Sequence, residues 1–73
     1  MTQGLIKNYI GTWVISNFFK YDVFMVNAGR DSWFEAIPKT PGLITRTGEN
    51  KTVLKILLDN DVINHLKFQQ RVR

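Results

Sequence analysis

The chain has no cysteine, one histidine, only two prolines and no apolar run long enough to cross a membrane as a helix. Each shortage removes a class of protein. Without cysteine there is no disulfide framework, and with His65 as the single imidazole the usual zinc ligand sets cannot be assembled from one chain. A spanning helix needs roughly 18 or more consecutive apolar residues, and every apolar stretch here is interrupted sooner. Met1 to Gly4 carries no basic leader region, and the apolar residues that follow are broken by Lys7 and Asn8. A cytoplasmic protein, not engaged with a membrane, is therefore expected. Asn50-Lys51-Thr52 matches the glycosylation sequon but has no secretion signal to give it meaning.

Motifs for chemistry are equally scarce. General acid–base catalysis needs a tuned pair within hydrogen-bond reach, and His65 has no obvious partner, so it reads as a surface histidine. Neither Ser16 nor Ser32 sits in the strained G-x-S-x-G turn of a serine nucleophile. "VNAGRDS" and "RTGENKT" each hold one glycine, whereas a phosphate-binding Walker loop needs two at fixed spacing before Lys-Ser/Thr. Asp59-Asn60-Asp61 lacks the remainder of a calcium loop and reads as a polar turn. No enzyme activity, metal or cofactor is expected.

What is present is 73 residues, 44% of them apolar, including two Trp, two Tyr and five Phe. Such a chain is one small domain, burying only about 60–65% of the surface its unfolded form exposes. Self-association is an expected source of extra stability, since disulfides and metals are excluded. Ten Lys and Arg against six Asp and Glu give a net charge of +4. That balance favours anionic partners, although charge of this size also serves plain solubility.

Along the chain, Leu5, Tyr9 and Trp13 recur at four-residue spacing, as do Ile6, Ile10 and Val14. This predicts a helix over about 2–11, with Thr2 as N-cap and Gly11 as its stop. The β-rich remainder, 12–73, begins with "TWVISNFF". "YDVFMVNA" and "SWFEAI" then form a hairpin whose turn, Asn27 to Ser32, looks longer than two residues. Pro38 to Gly42 punctuates the chain. "GLITRTGENKTVLKILL" reads as a second hairpin with Gly48-Glu49-Asn50 at its tip. The last segment is compatible with a helix capped by Asn60, but Val62, Leu66, Phe68 and Val72 fit a strand better. The expected fold is mainly β (α+β): a short N-terminal helix, then a five- or six-stranded antiparallel barrel or strongly bent sheet. SH3-like, Sm-like and OB-like barrels share that order of elements.

Aromatic residues interleaved with basic ones are the strongest functional signal. Stacking aromatics beside cations bind single-stranded nucleic acid, at about 1–3 kcal/mol per stacked base. The candidates are Lys20, Tyr21, Arg30, Trp33 and Arg46 in the hairpins, with Phe34 beside them and Lys67, Arg71 and Arg73 as a terminal stripe. Trp13, Phe18, Phe24 and Phe68 are assigned to the core. The expected function is a small, non-enzymatic, regulatory binding module for single-stranded nucleic acid or RNA. The alternative is a host-protein partner, because the chain resembles, in size and style, the accessory proteins of phages and other mobile elements. An aromatic hairpin anchored by Arg30, Trp33 and Phe34, or a sheet edge open to strand addition, would serve that end.

Overall fold

The computed structural model describes residues 4–71, with side chains through Phe68. Among the described residues the elements are four strands, Ile6–Ile15 (β1), Phe19–Ala28 (β2), Asp31–Pro38 (β3) and Arg46–Gly48 (β4), and one helix, Lys51–Arg71 (α1). The strands form an open antiparallel sheet in the order β1-β2-β3-β4, so β1 and β4 are its edges. This corrects the expected fold twice. The helix lies at the C-terminus instead of the N-terminus, and the sheet does not close into a five- or six-stranded barrel.

The segment expected to be helical is β1. Four-residue spacing fits a helix, but it is also twice the strand period, and the β-branched and aromatic content of "IKNYIGTWVI" decides for the strand. Its pairing with β2 shifts between Tyr9 and Gly11, leaving Ile10 as an extra residue. That bulge reverses which side chains face which side of the sheet, and so blurs the alternation along the chain. The expected N-cap Thr2 lies outside the described residues.

"TWVISNFF" is divided by a turn. Ser16 and Asn17 take φ of 54° and 59°, and the Phe18 amide donates to the Ile15 carbonyl at 3.2 Å. Phe18 is thereby turned outward, 68% exposed, edge-on to the buried Phe19. The β2–β3 connection is tighter than expected: Ala28 pairs with Asp31, leaving only Gly29 and Arg30 between the strands. Gly29 at φ 65°, in the first central position, supplies the left-handed residue that such a two-residue turn requires.

Lys51–Arg71 is helical, so the second hairpin and the terminal strand are both corrected, while residues 72 and 73 of that expected strand lie outside the described residues. Asn50 is the N-cap: its Oδ1 accepts from the Val53 amide at 2.9 Å, and its carbonyl accepts from Leu54 at 3.1 Å. Asn60 lies within the helix. Leu54, Leu58 and Val62, one turn apart in succession, pack with Ile15, Phe19, Tyr21, Val23 and Ala36 on one face of the sheet. Trp13, Phe34 and Leu43 pack around that cluster. Gly48 lets β4 meet the helix closely, since a Cβ there would stand 2.9 Å from the Leu54 amide nitrogen. Of the residues assigned to the core, Trp13 joins it and Phe24 is half-buried on the face away from the helix. Phe18 and Phe68 are exposed. No helix among the described residues is long and apolar enough to cross a membrane.

Candidate interaction groove

Cross-strand partners share a face of the sheet, so the pairing register assigns each candidate residue to one side. Tyr21 pairs with Trp13 and Pro38 on the helix side and has no exposed surface. It is enclosed, and no base can stack on it. Burial first, and the Asp61 carboxylate second, hold its phenol above the ordinary value, with the Arg46 guanidinium acting the other way. Among the described residues its hydroxyl has no hydrogen-bond partner.

Arg46 is committed to structure. Its Nε donates to Asp61 Oδ2 at 2.7 Å and its Nη2 to Oδ1 at 2.9 Å, a two-pronged bond tying β4 to α1. Hydrogen bonding to Asp61, then that carboxylate's charge, raises the guanidinium pKa. Trp33 is half-buried on the helix-free face, opposite Val26. Lys20 lies opposite Val14 near the β1–β2 turn, while Arg30 sits in the turn at the other end of β2. Phe34, on the helix side, has Lys51 Nζ 5.8 Å from its ring centre. Lys67 and Arg71 are one turn apart on α1, not on a strand, and the Arg71 side chain and all of Arg73 lie outside what is described. Among the described residues, the fold therefore does not bring the candidates to one surface: Tyr21 is enclosed on the helix side, whereas Lys20 and Trp33 lie on the helix-free face.

The helix-free face carries Tyr9, Phe24, Val26, Trp33 and Ile37, with Tyr9 and Phe24 edge-to-face at 5.6 Å. Two of its cations are neutralised, with Lys7 Nζ 2.7 Å from Glu35 and Lys39 Nζ 3.3 Å from Asp22, while Lys20 lies at its far end opposite Val14. This is an aromatic surface without a marked excess of positive charge.

A better-built feature lies where β1 meets the first turns of α1. There Trp13, Val14 and Ile15 form one wall and Lys51, Thr52, Lys55 and Ile56 the other, around a groove of about 520 Å³. That volume is in the range of ligand sites, about 300–1,000 Å³. Its apolar surface comes from Trp13, Val14, Ile15 and Ile56, with Val14 and Ile56 each at least half exposed. Its charge comes from two lysines, of which Lys55 is bonded to Asp59, and among the described residues no carboxylate lines it directly. The groove runs beside a sheet edge: among the described residues no strand pairs with the outer side of β1. Sequence reasoning passed over these residues because Lys51, Lys55 and Ile56 read as hairpin positions. The signal that finds them is the Asn50 cap, which sets the helix in register.

A second hollow of about 300 Å³ lies among Gly42, Leu43, Ile44, Asp61, Asn64, His65 and Phe68. Its polar groups are largely occupied, with Asp61 bound to Arg46 and His65 packed edge-on against Phe19 at 5.7 Å. Among the described residues no three metal-ligating side chains gather closely enough to hold an ion. Neither a protein-family model, nor a curated protein, nor a solved structure matches the chain.

Proposed function

We propose that this protein is a non-enzymatic binding module that captures an extended segment of a partner protein by strand addition to β1. The observation that carries this reading is the groove between the unpaired β1 edge and the first turns of α1. An added strand satisfies the free amides and carbonyls of the edge, which otherwise depend on water alone. The flanking helix then reads the side chains that the strand directs towards it. Removing the remaining exposure of Val14 and Ile56 from water adds about 1 kcal/mol apiece. The alternative of a protein target thus takes precedence over nucleic acid, because Tyr21 is enclosed and Arg46 is ion-paired to Asp61.

The test uses an array of short synthetic peptides of alternating apolar and polar residues. The best binder is then remade with N-methyl groups on one alternating set of its amides, and separately on the other. Strand addition requires one set to be sensitive and the other indifferent, because only one edge of the peptide faces β1. Equal tolerance of both sets would reject the reading. So would tighter binding of a homopolymeric single-stranded oligonucleotide than of any peptide, with an affinity that falls steeply with salt.

A further inference from the structure

Building on the strand-addition reading, we infer that the captured segment is acidic, with glutamates on the side facing α1 and β-branched apolar residues on the other. Both walls of the groove contribute to this assignment. Lys51 and Lys55 are one helical turn apart, which is about 6 Å of rise. Alternate side chains of a strand on one face recur every 6.8 Å or so, nearly the same interval. A strand lying in the groove can therefore offer a carboxylate to each lysine in turn. Trp13, Ile15 and Ile56 line the groove beside the lysines, so a side chain reaching an ammonium group from within it needs an apolar stem before its charged tip. Glutamate has both. On the opposite side of the sheet the added strand lies beside Val14, half exposed, which is best covered by another β-branched residue.

The lysines are available for such exchange. Lys51 has no carboxylate within ion-pair distance among the described residues, and its ammonium rests near the Phe34 ring. Lys55 bonds Asp59 at 2.9 Å, but both groups are exposed and one helical turn apart. Pairs of this kind contribute about 0.3–0.5 kcal/mol, so an incoming carboxylate competes readily. Asp59 also marks the limit of the cationic stretch. Its charge opposes an acidic ligand, so its removal should strengthen binding.

The experiment measures fluorescence anisotropy of three labelled peptides alternating valine with glutamate, glutamine or lysine, on the full chain. The glutamate peptide should bind about tenfold tighter than the glutamine one, equivalent to about 1.4 kcal/mol. Lys51→Ala/Lys55→Ala should abolish that preference, bringing the glutamate and glutamine peptides to the same affinity. Asp59→Asn should tighten the glutamate peptide alone. Equal affinities for all three, or a preference that survives loss of both lysines, would overturn the acidic assignment. If one-sided sensitivity to N-methylation persisted in that case, strand addition would stand and only the ligand's charge would be wrong. Binding of none of the three, while other array peptides still bind, would likewise remove the assignment alone. Displacement of the glutamate peptide by an oligonucleotide, with the same lysine dependence, would reassign the cations to phosphate. A free protein that is dimeric and must dissociate before peptide binds would reassign the edge to a second copy.

Discussion

Tyr21 is the residue whose chemistry the fold alters most. A phenol with a buried, unpartnered hydroxyl carries a desolvation cost of about 1–3 kcal/mol without a compensating bond. Replacing it with phenylalanine keeps the ring among Ile15, Leu54 and Leu58 and deletes the unsatisfied group. Tyr21→Phe should match the parent in denaturant unfolding or exceed it by up to about 1 kcal/mol. The pH dependence gives a second readout. The folded-state pKa is raised above 10.0, so the folded chain keeps this proton at alkaline pH where the unfolded chain has released it. Stability from this group is level below about pH 10 and falls as pH rises through the folded value. Tyr21→Phe should flatten that part of the alkaline decline; an unchanged slope would show that the phenol is not desolvated. Nothing in the local sequence distinguishes Tyr21 from an exposed aromatic. Its enclosure follows from its register with Trp13 and Pro38, which belongs to the tertiary fold.

At the scale of elements, the junction of β4 and α1 controls the groove, because it fixes where Lys51 and Lys55 emerge. Two replacements probe it differently. Asn50→Ala removes the cap and should cost about 1 kcal/mol, mostly by fraying the first turn. Gly48→Ala drives a methyl group into the Leu54 backbone and should cost about 1–3 kcal/mol. Thermal unfolding ranks the two, and a Gly48→Ala variant as stable as the parent would contradict the close approach. The junction was only partly legible in the sequence. Gly48-Glu49-Asn50 has turn chemistry, and the helix that follows is apolar on nearly every side, with Ile56, Ile63, Leu66 and Phe68 exposed. A segment without a single apolar stripe gives no helical period to read, and its alternation imitates a strand. β1 failed in the opposite sense, because its four-residue spacing fits two periods and the bulge hides the third cue. The β2–β3 hairpin was legible, since its strands are rich in β-branched and aromatic residues on either side of residues suited to a turn. Only the length of its turn was misjudged.

Across the whole molecule, the sheet has two unlike edges. β4 is three residues long and leads at once into the helix that covers its neighbourhood. β1 is ten residues long, has no proline, and leaves Ile6, Tyr9, Ile10 and Val14 exposed. Proteins usually protect an edge of that kind by shortening it, charging it or covering it. Here Lys7 is the only charge on the strand, and the flanking helix leaves an open groove instead of a lid. The contrast between the edges is the physical basis for placing the binding surface at β1. The most direct measurement is amide hydrogen exchange, residue by residue, with and without the alternating valine–glutamate peptide. The account predicts new protection at alternate β1 amides between Thr12 and Ile15, with little change at the Gly29-Arg30 turn. Protection confined to that turn, or to the last turns of α1, would contradict it.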